Sequence, residues 1–216
     1  MYISEIRPID SKKALIIFDE EPSFRLYKGE IRRYKLTADS EISRDIYLEI
    51  LNKVIKPRCF KRAMYLLSKK DYTVHKLRDK LDNSDYPKDV IDMTVDDLIS
   101  LKYLDDIRFA ENYINFRHGS MSLKNMRQKL MLMGISKDDI EQAIYNLSEY
   151  NVDMDSSDMI AAKKDFYKKL KRIKDTDERV VRNKLYSFMA SKGYSYKITG
   201  ELIEELVNNN NYDKNY

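Results

Sequence analysis

Three nine-residue stretches decide the architecture: TVHKLRDKL at Thr73 to Leu81, SLKNMRQKL at Ser122 to Leu130, and DERVVRNKL at Asp177 to Leu185. They align without gaps on one pattern: a capping residue, three variable positions, an apolar residue, Arg, any residue, Lys and Leu. The starts lie 49 and 55 residues apart (73 to 122, 122 to 177). A period of about fifty residues marks stacked supersecondary units. Thr73, Ser122 and Asp177 each offer a side-chain oxygen that accepts from the free amides of a helix start. The pairs Leu77/Leu81, Met126/Leu130 and Val181/Leu185 are spaced i, i+4, so each pair shares one helix face. Each block therefore predicts a short amphipathic helix with its own start signal.

Helical stretches flank every block. Cys59 to Lys70, Ile107 to Arg117 and Met159 to Lys171 precede the three copies. Lys88 to Leu101, Lys137 to Ser148 and Tyr196 to Asn208 follow them. Asp85-Tyr86-Pro87, Met133-Gly134-Ile135 and Lys192-Gly193-Tyr194 break the chain between second and third helices. The tail NNNNYDKNY reads as frayed. The first forty residues differ: Ile3 to Ile9, Ala14 to Phe18 and Phe24 to Tyr27 are short β-prone runs, with turns at Asp10-Ser11 and Glu21-Pro22. From Ser40, Ile42, Ile46, Ile50 and Val54 fall at helical spacing, and Pro57 is expected to close that segment. The expected fold is mainly α. A small N-terminal β-hairpin or meander (1–40) and a linking helix (41–57) lead into three-helix repeats at 58–104, 105–150 and 151–216.

Composition narrows the function classes. The chain is 43% hydrophobic and 35% charged, with 40 Lys and Arg against 36 Asp and Glu, a net of +4. That surface permits an acidic partner or nucleic acid without demanding either. Cys59 is the only cysteine, which rules out an internal disulfide and suits a reducing cytoplasm. With His75 and His118 the only histidines, no structural zinc site is expected. No signal peptide and no membrane-length apolar run is visible, so a soluble cytoplasmic protein is expected. The five glycines are isolated, so no phosphate loop forms, and no catalytic residues, cofactor or metal are expected. The acidic pair Asp96-Asp97 could in principle hold a nuclease metal; surface charge is the plainer reading.

With the repeat in hand, a family resemblance emerges. The stretch YLDDIRFAENYINFRHGSMSLKNMRQKLMLMGI, Tyr103 to Ile135, resembles the signature of the RecX family of recombinase regulators. The matching residues are Leu104 to Ala110, then Arg117, Gly119 and the Gly134-Ile135 turn. Ala63, Leu66, Leu67, Tyr72, Thr73, Leu77 and Leu81 fit the first repeat. The sequence departs from the family pattern at Lys76 and Lys129, where many members carry Glu, and at Asp85, where Gly is common. The resemblance implies an elongated, curved array of three-helix units that acts as a monomeric, non-enzymatic regulator. Its partner would be the RecA–DNA filament, with direct contact to single- or double-stranded DNA secondary. The implied effect is inhibition of strand exchange, ATP hydrolysis and co-protease activity. A stand-alone DNA-binding module is the alternative.

Candidate contact residues are basic. Arg78/Lys80, Arg127/Lys129 and Arg182/Lys184 recur, but positions two apart on a helix point about 160° away from each other. Arg and Lys therefore flank the apolar stripe on opposite sides and cannot line one face together. Either their stems cover the core edge, or the arginines Arg78, Arg127 and Arg182 contribute to a shared surface. Arg108 and Arg117 lie in the family-like segment on different helix faces, behind Asp105 and Asp106, which suit a helix N-terminus. The densest basic run is KKDFYKKLKRIK, with Lys163, Lys164, Lys168, Lys169, Lys171 and Arg172. A solvated helix face competes there with a phosphate contact assisted by Phe166-Tyr167.

Overall fold

A computed structural model describes residues 1–149 and 154–212 of the chain. The chain divides into two compact units, Met1–Asp105 and Asp106–Tyr216. The expected class holds: helices dominate, behind a small N-terminal antiparallel sheet.

In the first unit, β1 (Tyr2–Pro8), β2 (Lys13–Phe18) and β3 (Phe24–Tyr27) form a meander. The Asp10 carboxylate accepts from the amides of Lys12 and Lys13 at 2.7 Å each, which closes the first turn. A short helix α1 (Lys28–Arg33) follows, then β4 (Ser40–Glu41) returns to pair with β1. The sheet is thus four-stranded, in the order β3-β2-β1-β4. The sequence reading missed α1 and β4, because six- and two-residue elements are too short for periodicity to register. Along β2 buried and half-exposed residues alternate. This turns Ala14, Ile16 and Phe18 inward, and Ile16 and Phe18 share a core with Tyr47, Ile50 and Ile55.

Pro57 does not close the linking helix. The chain stays helical through α2 (Arg44–Ile50), a π turn (Leu51–Ile55) and α3 (Lys56–Leu67). A proline in regular α-helix leaves the carbonyl four positions back unpaired and crowds it. The π turn shifts bonding to i→i+5 just ahead of Pro57, so the ring enters at the first turn of α3. The sheet, this long helix and the first repeat share one core, which runs from Ile3 to Leu104.

The first repeat is completed by α4 (Val74–Asp82) and α5 (Lys88–Ser100). In the second unit, α6 (Asp106–Arg117), α7 (Leu123–Leu132) and α8 (Lys137–Glu149) form the second repeat. The third comprises α9 (Met154–Leu170), α10 (Glu178–Ser191) and α11 (Tyr196–Tyr212). All three predicted caps are present: Thr73 accepts from Lys76, Ser122 from Asn125, and Asp177 from Arg179 and Val180. α11 continues to Tyr212, past the expected end at Asn208. The remainder of the tail read as frayed, 213–216, and the 150/151 repeat boundary lie outside the described residues.

Each middle helix ends the same way. Asp85, Gly134 and Gly193 have φ of 57°, 87° and 83°. The next amide (Tyr86, Ile135, Tyr194) donates to the carbonyl five residues back (Leu81, Leu130, Met189). This 6→1 bond satisfies a carbonyl that the helix end would otherwise orphan. The equivalence exposes an error of register in the third sequence block. Measured from this turn, the copies lie 49 and 59 residues apart (85 to 134, 134 to 193). The buried pair of α10 is Leu185/Met189, and Val181 is only half-buried. Asp177 caps an extra N-terminal turn that the other copies lack.

Repeats two and three are fastened together by polar contacts. The Gly119 amide donates to Ser157 Oγ at 2.9 Å, and its carbonyl accepts from Lys164 Nζ at 3.0 Å. The Leu123 amide donates to Asp158 at 2.7 Å. Ser122 Oγ and Asn125 Nδ2 both donate to the Lys192 carbonyl, at 2.6 and 2.8 Å. That approach is possible because position 193 lacks a side chain: a Cβ there would stand 2.7 Å from Ser122 Oγ. Gly193→Ala should therefore cost about 2–3 kcal/mol, from left-handed strain plus disrupted hydrogen bonds. Gly29→Ala, with nothing within 4 Å, should change stability by less than about 1 kcal/mol in denaturant titrations. Burial pushes the Cys59 thiol up to about 11, with the neighbouring Thr94 hydroxyl pulling the other way. The native chain should resist thiol alkylation at pH 8 and react once unfolded.

Candidate functional site

The recurrent arginines are held by their own repeats. Arg127 on α7 grips Glu141 on α8 through Nε and Nη2, at 2.8 and 3.0 Å. That hydrogen bond, ahead of the general attraction, holds the Glu141 carboxyl below its ordinary value. Arg78 on α4 reaches Asp92 on α5 at 3.0 Å in the same relation, fourteen residues on. Both arginines clasp the second helix of a unit to the third. Arg182 is different. It lies just past the extra turn of α10, at the place of Leu123, and among the described residues its ion pair is with Glu178, one turn back at 3.5 Å. By structural register the place of Arg127 is taken by Tyr186 and that of Glu141 by Gly200. A Cβ at Gly200 would lie 3.5 Å from Tyr186 Oη. The Tyr186 ring stacks on Tyr196, with centroids 4.3 Å apart and planes at 12°. In the third repeat an aromatic stack therefore replaces the ion pair.

The basic run of α9 is split by its helix. Lys163 pairs with Glu205 of α11 at 3.0 Å, and Lys164 is spent on the Gly119 carbonyl. Phe166 is fully buried and Tyr167 half-buried against it, so this aromatic pair is core and offers no face for phosphate. Lys168 and Lys171 are exposed. The end of α9 and the loop after it instead open a groove of about 840 Å³ against α10. Lys169, Arg172 and Lys174 line it, with Lys184 held by Asp175. Phe188 forms one wall, and Lys169 Nζ sits 5.3 Å from its ring centre. Asn183 and Ser187 add neutral donors. Cations around an aromatic wall form a surface suited to a polyanion with stackable rings. Phe188, Asn183 and Ser187 escaped the sequence reading. The Gly193-Tyr194 turn carried the signal, since aligning copies from it sets Phe188 at the place of Lys129.

On α6, Arg108 is exposed, and Arg117 lies over Phe116 at 5.4 Å and Tyr113 at 6.0 Å. Among the described residues the buried Arg117 Nε has no hydrogen-bond partner, and Phe116 is 79% exposed. Among the described residues no group of three or more His, Cys, Asp or Glu side chains is placed to hold a metal. No described helix is long and apolar enough to cross a membrane.

The described helices thus form three three-helix units, the last of which carries a cationic groove. Residues 59–98 match the family model described as RecX, first three-helix domain. The chain is 26% identical over 209 residues to the regulatory protein RecX of Clostridium botulinum (strain Eklund 17B / Type B), covering 97% of both. It is 27% identical to that of Clostridium perfringens (strain 13 / Type A), covering 95% of each. A crystal structure of regulatory protein RecX superposes with a TM-score of 0.65 at 21% identity, over 94% of this chain and 98% of that one. Over nearly its whole length the chain is thus similar to proteins that carry the name regulatory protein RecX, and its residues 59–98 match that family's first three-helix domain.

The clasp has a measurable weight. Glu141 is partly exposed, so Arg127→Ala should cost only about 0.5–1 kcal/mol. Because the folded carboxyl titrates below its unfolded value, this contribution is complete above the unfolded value near 4.5 and fades as pH falls through the folded one. Arg182→Ala should stay within about 0.5 kcal/mol at every pH in the same urea titrations.

Proposed function

We propose that this RecX-like protein docks on the RecA–DNA filament and inhibits the recombinase. Strand exchange, ATP hydrolysis and co-protease activity would all be suppressed, modulating DNA repair and the SOS response. It acts as a cytoplasmic monomer without cofactor or catalysis of its own, and its direct contact with DNA is secondary to its contact with the filament. The observation that carries the reading is the groove of Lys169, Arg172 and Lys174 around Phe188, on a unit whose two repeats are fixed to one another. A filament presents the same phosphates and protomer surface at every step. Modest cationic contacts on a fixed scaffold gain avidity against such a partner. The alternative, a DNA-binding module acting without a recombinase, draws on the same groove, since cations and a ring also suit a bare single strand.

The two readings separate in one set of assays. The protein should suppress DNA-dependent ATP hydrolysis by the recombinase, and Lys169→Gln/Arg172→Gln/Lys174→Gln should raise the half-inhibitory concentration at least tenfold. Absence of suppression at saturating protein would sink the inhibitory reading. The triple variant should also flatten the salt dependence of binding by about 2 in log–log slope. Lys163→Gln and Lys164→Gln, which remove internal ties, should lower thermal stability and leave that slope unchanged. Tight binding to DNA alone with no effect of recombinase would favour the module.

A further inference from the structure

The first unit holds a second cationic site of different shape. Between the sheet, α3 and the turn before α5 lies a cavity of about 250 Å³, floored by Leu26 and Ile55. Four cations reach it from three elements: Lys13 at the start of β2, Arg25 on β3, and Arg58 and Arg62 one turn apart on α3. Two of the four are answered within the fold, Arg25 by Asp85 and Arg58 by Glu30 at 2.5 Å. Among the described residues, neither Lys13 nor Arg62 has a carboxylate within ion-pair distance. Arg58 is further fixed by donating to the Arg25 carbonyl at 3.1 Å. The Tyr27 ring holds Lys13 and Arg58 in place, with their cationic centres 5.2 and 4.9 Å from its centroid.

The cavity therefore holds two cations more than the carboxylates that answer them. Like charges drawn around a concave, partly apolar wall repel one another more than they would in open solvent. The Arg62 guanidinium, 5.7 Å from the Tyr65 ring centre, offers a planar fork that matches the oxygens of a phosphoryl group, with two-pronged donation that a spherical anion cannot use. The volume is small enough for one phosphoryl group with a short adduct and too small for a folded polymer segment. We propose that this cavity binds a single phosphoryl group, presented by a free nucleotide or by one phosphodiester of a nucleic-acid strand. This site is independent of the groove beside α10 and of the inhibitory reading.

The test uses the full chain at constant ionic strength, with inorganic phosphate, AMP and a 5′-hydroxyl octathymidylate as separate probes in calorimetric titrations. The octathymidylate arm is run in the Lys169→Gln/Arg172→Gln/Lys174→Gln background, so that the groove does not contribute. At least one probe should bind saturably, and Lys13→Gln/Arg62→Gln should weaken it tenfold or more. Lys53→Gln/Lys80→Gln, which removes equal charge outside the cavity, should bind within twofold of the parent. Hydrogen exchange of the parent protein should slow in β2, β3 and α3 when the probe is added, a readout that needs no variant. Binding of phosphate and AMP identifies a terminal phosphoryl ligand; binding of octathymidylate alone identifies a backbone phosphodiester. Saturation by none of the three, an equal response to acetate, or equal weakening in the control variant would overturn the proposal.

Discussion

Three times along the chain a middle helix ends on a residue with positive φ, and the following amide reaches back to the carbonyl of the last buried apolar residue. That bond sets where the third helix departs, and so which of its residues face Leu81, Leu130 or Met189. At Gly134 and Gly193 the left-handed geometry carries no steric penalty. At Asp85 it costs about 1–2 kcal/mol for a residue with a Cβ, less for Asp than for most, and the side chain is engaged by Arg25 of the sheet. The same turn supplies the Lys192 carbonyl on which Ser122 and Asn125 converge. A local device for ending a helix thereby becomes the joint between two repeats. Ser122 serves both ends, capping α7 and donating across the joint, and it is completely buried.

Charge on this protein is divided between internal fastening and outward display. Arg78 and Arg127 fasten helices within their units, Lys163 fastens α9 to α11, and Lys164 fastens one repeat to the next. What is displayed is concentrated where internal partners run out: at the end of α9, where cations also meet the negative end of the helix dipole, and in the cavity beneath the sheet. The third repeat departs furthest from the pattern. With Tyr186, Gly200 and Phe188 at places where its neighbour has Arg127, Glu141 and Lys129, it exchanges a clasp for an aromatic stack and an open groove. Phe166, Tyr167 and Tyr194 are consumed by its core.

The three-helix repeat, its caps and most of its helix limits were legible in the sequence because they are local. A cap oxygen lies within three residues of the amide it serves, and an i, i+4 apolar pair states its own face. β2 and β3 were legible for the same reason, through alternation over a few residues. The failures were those of range and of register. Pro57 reads as a terminator when taken alone; only the π turn beside it, held by a core that spans from Ile3 to Leu104, lets the helix pass. The block from Asp177 matches the repeat letter for letter, yet it lies one helical turn from its structural counterpart. Burial decides which apolar pair is inside, and Val181/Leu185 and Leu185/Met189 are both spaced to qualify.

By itself the sequence determined that this protein is built from three similar helical units behind a small sheet, and which residues cap the middle helix of each. Hydrogen bonds and apolar spacing within a dozen residues carry that information. It also displayed every cation of the candidate surfaces. Only the tertiary structure decided which of them are available. Pairing partners stand 14 residues away for Arg78 and Arg127, 42 for Lys163 and 45 for Lys164, distances over which no helical period speaks. The groove around Phe188 and the cavity beside Arg62 exist because separate elements converge there, a matter of packing that no single segment encodes.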